Sequence, residues 1–241
     1  MMKKIKESFK ILITRATLIF GVLGCVAVPE NDLESSKVLG DQELSHDSLS
    51  GYDENFLMDK PMGEDSLANV LRKAALEGDV VGQQELAYYY LGSEYFSGAR
   101  FWYEKVVKNL AVDELTKTDG LLVLAHLYEK GLGGNKNDTL AFDRYYQAAD
   151  LKHMQAMFQV GLMYERGQGI LMDHQEAMKW LLLAAESGYD HAQFYLGFVY
   201  NTGSITKQDQ DKALYWIRNA AGQGHPQAIE KLKSVFGEET Y

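Results

Sequence analysis

The sequence predicts an all-α solenoid of antiparallel helix pairs, and three observations carry that prediction. Tyr128, Tyr164 and Tyr200 recur at a step of 36 residues, as do Ala141, Ala177 and Ala213. The dipeptides Ala148-Ala149, Ala184-Ala185 and Ala220-Ala221 keep the same step. Glycines punctuate it at Gly131, Gly133, Gly134, Gly167, Gly169 and Gly203, and the whole chain of 241 residues has only 3 prolines. A unit of this length is one helix pair, which cannot bury its apolar face without a neighbour, so the pairs stack. Such a stack offers a binding surface more readily than a catalytic pocket.

The helical pattern begins near Ser66, where Leu67, Val70, Leu71, Ala74 and Ala75 fall at i, i+3, i+4, i+7 and i+8, and Gly78 ends the run. From there the reading alternates a helix A and a helix B. The A helices are expected near 80–92, 118–131, 154–166 and 190–202. The B helices are expected near 97–109, 138–150, 173–187 and 209–222. A short helix from Pro226 to Val235 closes the stack, since proline is tolerated in a first turn. Asp173 with Glu176 three residues later makes an aspartate version of the capping box, and Asp209 occupies the same slot one repeat on. Gly188, and Gly222 or Gly224, stand where left-handed helix ends are needed. The first repeat is irregular, and the loop around Leu110–Asp119 is the expected departure from a smooth stack. Domain boundaries follow: about four repeats with terminal caps over 66–236, and a tail over 237–241.

Residues 1–24 do not share this pattern. Lys3, Lys4, Lys6 and Lys10 make a basic start, and an apolar run from Ile11 to Gly24 follows, interrupted by Arg15. The uncharged part is too short to span a bilayer comfortably, so a signal peptide is the reading. Val22-Leu23-Gly24-Cys25 then resembles the lipobox of bacterial lipoproteins, which implies lipidation of Cys25, the chain's one cysteine. Leu23 departs from the small residue usual at its position, and cleavage after Ala27 without lipid is the alternative. One cysteine also excludes an internal disulfide and argues against a zinc–thiolate site. Residues 25–65 read as an acidic flexible tether, with scattered single apolar residues and no period. About 35 residues of coil reach on the order of 30 Å.

The full chain carries 24 Lys+Arg against 34 Asp+Glu. Without residues 1–24 the balance is 24 − 5 = 19 against 34 − 1 = 33, a net charge of −14. Such a surface repels nucleic acid and anionic headgroups, and it favours a protein partner with a basic face. Membrane contact is expected only through the lipid. The six histidines, His46, His126, His153, His174, His191 and His225, show no zinc-ligand spacing, and the glycines follow helices where a phosphate-binding loop would follow a strand. No metal, nucleotide or other cofactor is expected. Ser204-Ile205-Thr206-Lys207 is a literal S-x-x-K, but it falls in an A-to-B turn without its partner motifs. The aromatic stripe, including Trp102, Trp180 and Trp216 with Arg144 in the equivalent place, reads as packing.

The run Leu196-Gly197-x-x-Tyr200-x-x-Gly203, then Asp209, Ala213, Trp216, Ala220-Ala221 and Gly224, resembles the SEL-one-like repeat family. The preceding run matches through Gly161, Tyr164, Gly167, Gly169, Asp173, Ala177, Trp180 and Ala184-Ala185. These are right-handed superhelical solenoids related to tetratricopeptide repeats. The resemblance covers about residues 66–235 and implies a non-enzymatic adaptor for other proteins in a bacterial envelope. Val26 after the cysteine favours the outer membrane over the inner; a soluble periplasmic form is the alternative. An immunity-type inhibitor that captures a secreted toxic effector is a second reading, and a β-lactam-binding or hydrolysing enzyme a third. In tetratricopeptide-like solenoids the A helices line the inner face, which implies Tyr88, His126, Phe158, Leu162, Glu165, Phe194, Phe198 and Asn201 as partner-binding residues. Packing of the same residues between adjacent A helices is the competing expectation.

Overall fold

The computed structural model describes residues 67–236. Within them ten α-helices follow one another: α1 (Leu67–Leu76), α2 (Val80–Gly92), α3 (Phe96–Lys108), α4 (Glu114–Lys130), α5 (Asp138–Asp150), α6 (Met154–Arg166), α7 (His174–Glu186), α8 (Asp190–Thr202), α9 (Gln210–Gly222) and α10 (Pro226–Lys231). A π-helical turn, Leu232–Phe236, ends the described chain. No strand occurs among the described residues. The expected helices are therefore present: α2, α5, α6 and α8 have the expected bounds, α3, α7 and α9 differ by one residue, the closing helix stops four short of Val235, and α4 starts four residues early. That shift has a cause in the sequence: Asp113 accepts the Thr116 backbone N–H at 3.0 Å and opens α4 ahead of its apolar face. The helix gains a turn, 17 residues against 13 in α6 and α8. The predicted irregular loop shrinks to 109–113, with Leu110 exposed.

The chain divides into two compact units, up to Trp102 and from Tyr103 onward. In the first, Asp79 caps α2 by accepting from Gly82 N–H at 2.8 Å. Gln83 reaches back to donate to the Ala75 carbonyl at 3.3 Å. Gly82 sits directly over α1, where an added Cβ would stand 2.7 Å from that of Ala74. The ring of Tyr90 meets Tyr95 edge to face at 5.1 Å, and its hydroxyl accepts from Arg72 at 3.1 Å.

In the second unit the 36-residue step is visible as rows of equivalent local contacts. The B helices start at Asn137, Asp173 and Asp209, each accepting from the backbone of the turn it opens. Each such cap contributes on the order of 1 kcal/mol. The A helices end at Gly131, Gly167 and Gly203, all left-handed with φ of 69°, 64° and 71°, a conformation that only glycine enters cheaply. Ala148, Ala149, Ala184, Ala185, Ala220 and Ala221 are buried and let successive helices close up. Where the first of these seams carries Val106 and Val107, the facing residue is Gly120, while Ala156 and Ala192 stand one and two repeats on. A Cβ on Gly120 would meet Val107 Cγ1 at 2.9 Å, so the larger valine is offset by a smaller partner.

Candidate functional site

Three helices of the second unit, α6, α8 and α10, begin after residues of one row, His153, Tyr189 and His225. The two histidines cap with Nδ1, which accepts the N–H of Ala156 at 3.4 Å and of Ala228 at 3.3 Å. Tyr189 makes no such bond and is instead ring-stacked on His191 at 5.3 Å. Burial, with the neighbouring Asp190 charge, pushes the Tyr189 hydroxyl up to about 12. His153 is held below the usual imidazole range by burial, against the opposing charge of Asp119. Asp119 is itself raised by burial, with His153 pulling the other way and Asp113 adding to the rise.

The A-helix face places the expected partner-binding residues unequally. Phe158 and Leu162 are 4% and 2% exposed, so both belong to the core and offer no surface. The competing packing expectation describes these two: Phe158 lies edge to face with Tyr189 at 5.6 Å and with Tyr195 at 5.7 Å. Phe198 is 37% exposed, and Phe194 is half-buried with its ring stacked on His225 at 4.7 Å. Glu165 accepts from the Tyr195 hydroxyl at 2.6 Å, so burial and this carboxylate together raise that phenol. Asn201 and His126 are half-buried. His126 is lowered by burial, with Glu129 opposing and Lys130 adding to the fall. Tyr88, half-buried, lies in the first unit and is described there alone. The continuous apolar patch of four residues is thus corrected: in the second unit Phe194, Tyr195 and Phe198 line the accessible part, beside Glu165.

Two groupings escaped the sequence reading. The first is a buried carboxylate, Glu104, 2% exposed. Arg144 grips it through Nε and Nη2 at 3.1–3.2 Å, Tyr128 donates its hydroxyl at 3.0 Å, and Lys108 stands at 3.3 Å. Arg144 replaces the tryptophan of later repeats because it answers this charge. The clue lies in the substitution itself, an arginine at a position that reads from sequence as packing. The tryptophans also differ: Trp102 and Trp216 are buried, while Trp180 is half-buried against the edge of Tyr146 at 5.4 Å. The second grouping brings Asp190 and His191 to His225, 34 residues away in sequence, with one potential ligand atom of each lying within 4.8 Å of the others. Spacing within one helix does not reveal this grouping, because the stacking of successive repeats is what joins the three residues.

Ser204 to Lys207 lies in the turn between α8 and α9, so Lys207 is not stacked one helical turn above Ser204. No helix among the described residues is long and apolar enough to cross a membrane. Cys25, the expected signal peptide 1–24, the tether 25–65 and the tail 237–241 lie outside the described residues.

Helix pairs at a fixed step, joined by alanine seams and glycine-ended turns, define a helical-repeat protein of the solenoid class. The family model described as Sel1 repeat matches residues 118–153, 155–189 and 190–225. The pair α2–α3, read from sequence as a further repeat, falls outside those matches. The chain matches no curated protein. Among solved structures it is similar to a protective antigen of uropathogenic Escherichia coli displaying an SLR fold, at 29% identity and a TM-score of 0.60. That likeness covers 72% of this chain and 37% of the antigen, so this chain spans little more than a third of its relative. A Sel1 repeat protein from Oxalobacter formigenes is similar at 27% identity and a TM-score of 0.57, over 70% of this chain and 66% of that one.

Proposed function

We propose that the protein is an envelope-tethered scaffold that holds a protein partner on the A-helix face of its repeats. The observation that carries this reading is the Sel1 repeat array itself, a fold commonly used as a protein–protein interaction scaffold. Phe194, Tyr195 and Phe198 supply an apolar centre, and Glu165 and Asn201 a polar rim, the composition of a protein-binding surface. The acidic balance of the sequence selects a partner with a basic face and disfavours nucleic acid. A signal peptide over 1–24, lipid on Cys25 and the acidic segment 25–65 would tether the array to the outer membrane from the periplasmic side, as the lipobox resemblance implies. The turn position of Ser204 and Lys207 supports a binding role without catalysis.

The test is affinity capture from envelope extracts with the full chain and with Phe198→Ser and Glu165→Lys. Loss of the same bound protein in both variants, with helicity and melting temperature kept, is the expected result. Capture that both variants retain overturns the placement of the surface. The tether is read separately: Cys25→Ser is expected to accumulate as precursor and to lose acyl labelling. Normal processing of that variant would favour cleavage after Ala27. Turnover of a chromogenic β-lactam by the purified chain is expected to be absent.

A further inference from the structure

The row of A-helix caps sets up one place where histidines of successive repeats meet. Asp119 and His153, Gln155 and Tyr189, and His191 and His225 are equivalent pairs, each 34 residues apart. In the third pair both members are imidazoles, with ring centroids 5.0 Å apart, and Asp190 lies beside them.

We propose that Asp190, His191 and His225 form a binding site for a divalent transition-metal cation of the zinc type. Each side chain offers one ligand atom, and these atoms lie within 4.8 Å of one another. Zinc–nitrogen bonds of about 2.0–2.1 Å place tetrahedral ligands roughly 3.4 Å apart, so the side-chain ends need to close by about 1 Å. Two imidazoles with one carboxylate suit zinc, nickel or copper, whereas calcium and magnesium require an oxygen shell. The rings are already oriented: Phe194 stacks on His225 at 4.7 Å, and Tyr189 stacks on His191 at 5.3 Å. Asp190 is held in the first turn of α8, with His191 Nδ1 and backbone N both 2.8 Å from its Oδ1. The carboxylate also counters the unfavourable pole that two helix N-termini present to a cation. His153, which caps the same way, has Asp119 as its charged neighbour.

The ion and the cap of α10 compete for one ring. His225 Nδ1 accepts from the Ala228 N–H, so in the neutral ring the proton sits on Nε2. A metal on Nδ1 takes that lone pair directly. A metal on Nε2 sends the proton to Nδ1, which then can no longer accept. Either way occupation of the site releases the first turn of the last helix, coupling a cation to the end of the repeat array.

Isothermal titration of the purified full chain with zinc chloride at neutral pH tests the site. Wild type is expected to take up one equivalent. His191→Ala and His225→Asn are each expected to weaken uptake by more than the roughly tenfold that loss of an outer partner costs. Asparagine can accept the same cap bond, so His225→Asn keeps α10 capped while removing the ligand. His153→Asn is expected to leave uptake unchanged. Hydrogen exchange at the Ala228 amide is expected to quicken when zinc is bound. Absence of saturable zinc uptake by wild type, or uptake retained by both ligand variants, overturns the site. Uptake that leaves the Ala228 amide protected overturns His225 as a ligand.

Discussion

Two layers of the second unit stand at equivalent places in the repeat and solve opposite problems. Around Trp216 the B helix buries an indole, 8% exposed, in edge-to-face contact with Tyr215 at 5.0 Å. One repeat before Trp180, the same position is Arg144, 14% exposed on its side chain and paired to the buried Glu104. The backbone, its caps and its glycine turns are alike in both. The repeat period therefore transmits the helix geometry, while the chemistry of each layer is set by which side chain the neighbouring layer presents.

The largest effect should come from breaking the polar layer on one side. Arg144→Leu leaves Glu104 buried without its guanidinium, a loss expected to be about 3–5 kcal/mol by denaturant unfolding. The double variant Glu104→Leu/Arg144→Leu is expected to recover much of that, because no buried charge then remains. A double variant as unstable as the single one would mean the pair does more than neutralise itself.

In the apolar layer Trp216→Ala should cost about 3–5 kcal/mol, through lost burial and the cavity left behind. Trp180→Ala is expected to cost clearly less, since that ring is half-buried. Equal losses would erase the distinction drawn between the two indoles. Ala184 is fully buried where α7 meets its neighbours, and Ala184→Leu should destabilise by about 1–3 kcal/mol.

The smallest effect concerns pH. Burial holds His126 and His153 below their ordinary imidazole value of 6.5 in the folded state. The unfolded chain then binds more protons as the solution becomes acidic, so this contribution is complete above about pH 6.5 and is lost as pH falls through the folded values. Thermal melts are expected to fall from neutral pH towards pH 5, with a shallower slope in His126→Gln/His153→Asn. The Asp119 carboxyl, raised by burial, acts in the opposite sense.

Most of the helix order could be read from residues because the signals are local. Asp173, Asp209, Gly167, Gly203 and the alanine pairs each act within one turn or one seam, and the structure shows each in that role. The start of α4 was misplaced because Asp113 caps a turn that carries little apolar signal of its own. Phe158 and Leu162 were placed on a candidate surface because periodicity finds a helix face without saying what covers it. Phe158, for one, packs against Tyr189 and Tyr195, which come from later in the chain. Glu104 with Arg144, and His191 with His225, are pairs 40 and 34 residues apart. Only alignment by the repeat step brings such residues together, and even then the sign of the contact needs the side chains.

The central claim, that a protein partner sits on the A-helix face, is tested most directly by site-specific photo-crosslinking in intact envelopes. The photoreactive residue is placed at Phe198 on α8 or at Tyr215 on α9, both exposed. A discrete adduct from position 198, absent from position 215 and abolished by Glu165→Lys, is the predicted result. Adducts of equal strength from both positions, or none from position 198, would contradict it.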